Sequence, residues 1–195
     1  MYQFKITLKE VRPPIWRRIQ VPEAYSFWDL HVAIQDAMGW RDCHLHLFRL
    51  GRARSGRQVE IGIPDDEPVA DDAECLPGWE TPVGSHFRKV GDRAEYKYDF
   101  GDGWLHEVLL EEITVLNADK GYPLCLAGAR ACPPEDCGGA SGFADLLEIV
   151  GDPTHEEHAG TMEWLGGSFD PAAFDPRRVA FDNPKKRLAT MLEAR

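Results

Sequence analysis

Four apolar side chains, Tyr2, Phe4, Ile6 and Leu8, alternate with Gln3, Lys5, Thr7 and Lys9 at the start of the chain. A period of two puts every second residue on the same side of an extended backbone, so this segment is predicted to be a strand with one buried face. Val11-Arg12-Pro13-Pro14 interrupts the run, since proline has no amide hydrogen to give to a ladder. Alternation then resumes, with Ile15, Ile19 and Val21 against Trp16, Arg18 and Gln20, which predicts an antiparallel partner. Ser26 and Asp29 have the spacing of a shortened capping box, and Phe27, Leu30, Ile34 and Met38 follow at helical steps as far as Gly39. Cys43 to Leu50 alternates again, with His44, His46 and Phe48 on one face and Leu45 and Leu47 on the other. The chain therefore opens strand, strand, helix, strand.

Composition bounds what can follow. The 195 residues carry 22 Lys+Arg against 33 Asp+Glu, a formal charge of −11, and are 43% hydrophobic. That is enough apolar material for one sizeable core, and a single domain over 1–195 is expected. No run approaches the roughly 20 apolar residues of a membrane span, and the first residues form a strand pattern unlike a signal peptide, so no membrane contact and a cytoplasmic location are expected. Five cysteines, Cys43, Cys75, Cys125, Cys132 and Cys137, are an odd number at irregular spacings and read as thiols with room for one metal site. The acidic balance argues against a broad phosphate-binding surface and leaves only a local basic patch for nucleic acid.

From residue 51 to 92 the patterning fails. Arg49, Arg52, Arg54 and Arg57 lead into an acidic stretch from Asp65 to Glu74, read as a surface excursion holding one short strand, Gln58 to Ile63. Ala94 to Phe100 and Trp104 to Val115 then form two extended runs around Asp102-Gly103, a hairpin signal. After a Gly/Pro/Cys-rich segment, residues 143–150, 155–165 and 184–193 read as helices. The fold class is α+β: a mostly antiparallel sheet with a helical C-terminal third packed on it.

The segment Tyr96 to His106 carries the densest chemistry. With Asp102 and Gly103 as the centre of a tight turn, Asp99 opposes His106 at about 4.5–5.5 Å between β-carbons, close enough for a carboxylate to orient an imidazole. Such a pair serves as a general base or as a metal ligand with its partner, or is an ordinary cross-strand ion pair. His44 and His46, at i and i+2 on one strand face, suit paired metal donation but need further ligands, for which Asp99, Asp102, His106 and Cys132 are candidates. The alternative is one packed imidazole and one solvated one. Cys132-Pro133-Pro134-Glu135-Asp136-Cys137-Gly138-Gly139 sets a thiol and two carboxylates in a rigid turn, with Cys132 and Cys137 at a C-x₄-C spacing. His155 and His158 fit a solvated helix face. No phosphate-binding loop, dinucleotide fingerprint, nucleophile elbow or H-E-x-x-H occurs.

These same segments resemble one known family, the Ri-plasmid ORF-3-like proteins of bacterial plasmids and chromosomes. The resemblance runs through Pro13 to Arg18, Phe27 to Trp40, His44 to Phe48, Tyr96 to His106, Ala131 to Gly139 and Trp164 to Pro171. It implies an α+β fold and places an aliphatic residue at Cys137, which leaves Cys132 as the thiol of interest. Some members carry a resolvase-like or transposon-passenger label, but neither an activated serine among clustered arginines nor a basic DNA-binding segment is found here.

Three functions follow as expectations. The first is a binding or regulatory module whose polar pocket, formed by the HLH, YDFGDGWLH and CPPED segments, takes a protein or small-molecule ligand. The second is a metal-dependent hydrolase or nuclease using a divalent ion such as zinc, with His44, His46, Asp102 and Cys132 around the metal and Asp99, His106 and Glu135 in catalysis. The third is a DNA-associated accessory protein of mobile elements, with Arg17, Arg18 and Arg49 to Arg57 as its basic stripe.

Overall fold

The computed structural model describes residues 1–51, 58–64 and 75–193. The opening pattern folds as its alternation dictates: β1 (Tyr2–Leu8) and β2 (Trp16–Val21) pair antiparallel, and α1 (Phe27–Met38) follows. Ser26 accepts from the Asp29 amide while the Asp29 carboxylate accepts from the Ser26 amide, a complete capping box, and Gly39 closes the helix in the left-handed region. Next come β3 (His46–Leu50), β4 (Val59–Gly62), β5 (Cys75–Pro77), β6 (Arg93–Tyr98), β7 (Trp104–Ile113) and β8 (Leu124–Ala129). Helices α2 (Gly139–Gly151), α3 (His158–Trp164) and α4 (Pro184–Glu193) follow, and short 3-10 turns lie at Val83–Ser85 and Pro176–Arg178. The class is α+β, as the residues predicted.

Eight strands form one sheet in the order β5-β4-β3-β6-β7-β1-β2-β8, antiparallel except for β4 and β5. Its face toward α1 is apolar, with Phe4, Ile6, Ile19, Phe48, Val108 and Leu110 fully buried. Its other face is polar and laced with ion pairs such as Arg49 to Glu60 and Arg93 to Glu107. This one-sided burial is what the period of two anticipates. Within the stretch expected to be a surface excursion, Val83 and Phe87 enter the core, where Phe87 packs edge-on against Phe4 at 4.8 Å. Arg52, Arg54, Arg57 and the acidic run lie outside the described residues.

The C-terminal helices do not all lie on the sheet. Phe143 and Leu146 of α2 join the core, α3 buries no side chain, and α4 packs on the outer side of α1, where Trp28 Nε1 donates to the Pro184 carbonyl at 2.9 Å. This second cover explains why α1 is buried on nearly all sides.

Arg17, expected on a basic stripe, instead shares the buried face of β2 and is 1% exposed. Its guanidinium donates to the carbonyls of Ala37, Trp16, Ala129 and Arg130, so it pins the last turn of α1 to β8, and it stacks on Phe174 at 3.7 Å. Arg18 pairs with Glu111 and Arg49 with Glu60, so the described part of the stripe presents no row of free cations. Arg17→Met is expected to cost on the order of 3 kcal/mol or more in urea unfolding, because buried carbonyls lose their donors. Arg17→Lys is expected to recover little of it, since one ammonium cannot span the same fork of acceptors.

Candidate functional site

Residues 41–45, the β6–β7 connection and residues 132–139 converge at one end of the sheet. Trp40 makes the first contact, stacking on Tyr98 at 4.9 Å while its Nε1 donates to the Pro133 carbonyl at 2.9 Å. Glu135 makes the second: its carboxylate accepts from the Arg41 amide at 2.8 Å and from the Tyr98 hydroxyl at 3.1 Å. Tyr98 in turn accepts from the Cys43 amide at 3.0 Å. Burial, with the charge of Glu135 beside it, pushes the Tyr98 phenol well above its ordinary range, so it stays protonated as donor.

The β6–β7 connection differs from the tight turn expected. The last strand pair is Tyr98 with Trp104, and His106 opposes Tyr96, not Asp99. Asp99 explains the longer loop: its Oδ1 accepts from the amides of Gly101 at 2.9 Å and Asp102 at 3.3 Å, while its backbone takes φ 54°. An aspartate bonded to the amides ahead of it makes its own turn. The Asp99–His106 pairing is therefore corrected.

With Oδ1 engaged, Asp99 Oδ2 faces His44 Nε2 at 3.6 Å. Asp136, also left-handed at φ 58°, brings Oδ1 to 3.1 Å from the same nitrogen. His44 Nε2 is shielded from solvent yet makes no hydrogen bond with any described residue. Among the described residues, His44, Asp99 and Asp136 are the group able to share an ion, with donor atoms all within 4.8 Å. Donors bound at about 2.0–2.2 Å to one ion with near-tetrahedral angles stand roughly 3.3 Å apart, which the two measured separations bracket.

The remaining segment is locked by contact between backbones. Asp102 Oδ2 accepts from the Gly138 amide at 3.2 Å, and a β-carbon on Gly139 would stand 2.5 Å from the Asp102 carbonyl oxygen. Gly139 is thus the residue that lets residues 132–139 seat on the hairpin loop.

The sequence pattern of the plasmid pRiA4b ORF-3-like proteins matches residues 1–178. The chain belongs to this family. A protein of Sinorhizobium fredii (strain NBRC 101917 / NGR234) described as uncharacterised, y4hQ, is 38% identical over 177 residues, covering 88% of this chain and 84% of its own. The crystal structure of MM3350 from Methanosarcina mazei Go1, described as a protein of unknown function, superposes with a TM-score of 0.83 at 42% identity, covering 92% of this chain and 97% of that one. Helix α4 lies beyond the residues that the ORF-3-like pattern matches.

Other sequence candidates sit elsewhere in this ORF-3-like fold. His46 is not beside His44 at the surface: β3 begins at His46, whose ring lies in the core stacked on His31 with centroids 3.5 Å apart. Burial, and then the neighbouring His31, hold His46 well below the ordinary imidazole value. His106 is fully buried beneath Trp40, with Nδ1 near the Tyr96 carbonyl at 3.3 Å. Cys132 and Cys137 pack against the core, and burial pushes both thiols up, Cys137 to about 12, so neither is a ready thiolate. Asp102 and Glu135 hold loops together. His158 Nδ1 lies 2.8 Å from the Ile149 carbonyl.

Two residues at this end were not singled out from sequence. Asp136 differs from Glu135 in no way the sequence shows, since only its left-handed backbone turns it toward His44. His31 looks like any polar position of an amphipathic helix, yet it bridges Asp42 and the Tyr96 hydroxyl at 2.8 Å each.

Burial lowers His106 from 6.5 to about 4. The unfolded chain takes up this proton first as pH falls, so the stability from a neutral His106 is complete above about pH 6.5 and is lost as pH approaches 4. At about 1.4 kcal/mol per unit between the two values, roughly 3 kcal/mol is involved. Unfolding free energies measured from pH 7 to 4 are expected to fall, and His106→Gln is expected to flatten the slope.

Proposed function

We propose that the protein is a ligand-binding module whose site is the surface where residues 41–45, 99–103 and 132–139 meet, organised around a divalent cation held by His44, Asp99 and Asp136. The observation carrying this reading is the His44 Nε2 atom, withdrawn from water and unbonded between two carboxylate oxygens. A buried nitrogen that makes no hydrogen bond costs about 1–3 kcal/mol, and an ion bound by the three groups removes that cost. One imidazole with two carboxylates suits zinc or manganese.

The surroundings favour binding over hydrolysis. Glu135, the candidate general base, has its carboxylate committed to Arg41 and Tyr98. Large apolar side chains stand exposed nearby instead, among them Leu45 and Phe100, and Trp164 lines a cavity of about 430 Å³ that it shares with Arg41 and Asp136. A polar centre among exposed apolar anchors is the usual composition of a recognition site.

Calorimetric titration with Mn²⁺ and Zn²⁺ is expected to give one site per chain in the wild type. His44→Ala and Asp136→Gly are expected to abolish it, the glycine removing the carboxylate while tolerating the left-handed backbone. Asp99→Asn keeps an acceptor for Gly101 but removes charge, and is expected to weaken binding by about tenfold or more. Cys132→Ser and His106→Gln are expected to bind as wild type does. No binding by the wild type, or binding that survives His44→Ala and Asp136→Gly, contradicts the reading.

A further inference from the structure

Residues 41–45, α4 and Ile63, just past the end of β4, line a cavity of about 710 Å³ that shares His44 with the cation group. Its size is that of a small-molecule site. Among the described residues, two carboxylates line it, and both are already engaged. Asp42 Oδ1 bonds His31 at 2.8 Å and its Oδ2 lies 3.7 Å from Arg187, while Asp182 pairs with Arg187 at 2.8 Å. Burial favours a neutral Asp42, but the His31 hydrogen bond with the charges of His31 and Arg187 outweighs it and holds the carboxyl below its ordinary range. Arg187 is itself spent on Asp36, Asp42 and Asp182, though its Nη1 makes no hydrogen bond.

Arg41 and Lys186 stand apart from this balance. Both line the cavity and are exposed, and neither makes an ion pair with any described residue. In a chain of net charge −11, the charge left uncompensated among the described walls of this cavity is therefore positive. Four apolar side chains, Trp28, Leu45, Ile63 and Met191, also line it, beside the polar His44, Asn183 and Thr190. Leu45 is 52% exposed, a large apolar side chain standing open where a ligand body would cover it.

We infer that this cavity binds a small anionic amphiphile, with a carboxylate or phosphate head between Arg41 and Lys186 and an apolar body against Trp28, Leu45, Ile63 and Met191. This rests on the reading of this face as the binding face but not on an occupied cation site. Salt-bridge geometry to either head group is available to arginine and lysine, and the apolar walls select against a bare ion.

The test is titration of the full chain, by calorimetry or amide chemical shifts, with hexanoate and hexyl phosphate as probes, and with hexylamine and inorganic phosphate as controls. Saturable binding of either anionic probe is expected, and which of the two binds tighter identifies the head group. The double variant Arg41→Glu with Lys186→Glu is expected to weaken binding by at least about tenfold while its circular dichroism and melting temperature stay as in the wild type. Asp136→Gly is expected to lose Mn²⁺ and keep the anionic probe, which separates failure of the cation site from failure of this cavity. Equal binding of hexylamine, inorganic phosphate binding as tightly as hexyl phosphate, or indifference to the double variant would overturn the inference. So would no binding of either anionic probe.

Discussion

The Glu135 carboxylate joins parts of the chain far apart in sequence, bonding the Arg41 amide and the Tyr98 hydroxyl from a loop that also receives the Trp40 indole through Pro133. Each bond is charge-assisted or partly buried, where such contacts are stronger than in water. Without this clasp, residues 132–139 would lose their hydrogen bonds to Trp40, Arg41 and Tyr98, which hold Asp136 opposite His44. Glu135 thus sets the position of its neighbour Asp136 opposite His44.

Beneath the clasp, the ORF-3-like fold places an unusual amount of polarity in its core. Asp42, His31, Tyr96 and Gln35 form a connected chain of hydrogen bonds at α1, and His46 stacks on His31 with no hydrogen bond from its nitrogens to any described residue. Connected polar groups fix the register of one helix on one sheet more tightly than apolar contacts do, at the cost of acid sensitivity. The same chain ends at Asp42, which anchors Arg187 and therefore α4. Core, lid helix and surface site are in this way mechanically continuous.

Much of the fold was legible because alternation and capping are local. Ser26 with Asp29, and Gly39, bounded α1 to the residue, and the β1–β2 pair followed from Tyr2 to Val21. β5 and β8 were missed because a three-residue strand and the run LCLAGA carry no alternation, their pairing being imposed by neighbours. Arg17 was misassigned because a charge on a buried face is visible only once the carbonyls it serves are in place. The segments that meet at this junction were singled out in the sequence, but not which of their residues face one another. That selection depends on two aspartates in left-handed conformations and on a hairpin loop longer than Asp-Gly alone suggests.

The central claim is that this junction holds one cation through His44, Asp99 and Asp136. Anomalous diffraction at the manganese or zinc edge, from crystals grown with the ion, tests it most directly. The account predicts a single peak at about 2.0–2.3 Å from His44 Nε2, Asp99 Oδ2 and Asp136 Oδ1. A peak at Cys132 and Cys137, or none at the junction under saturating ion, would contradict it.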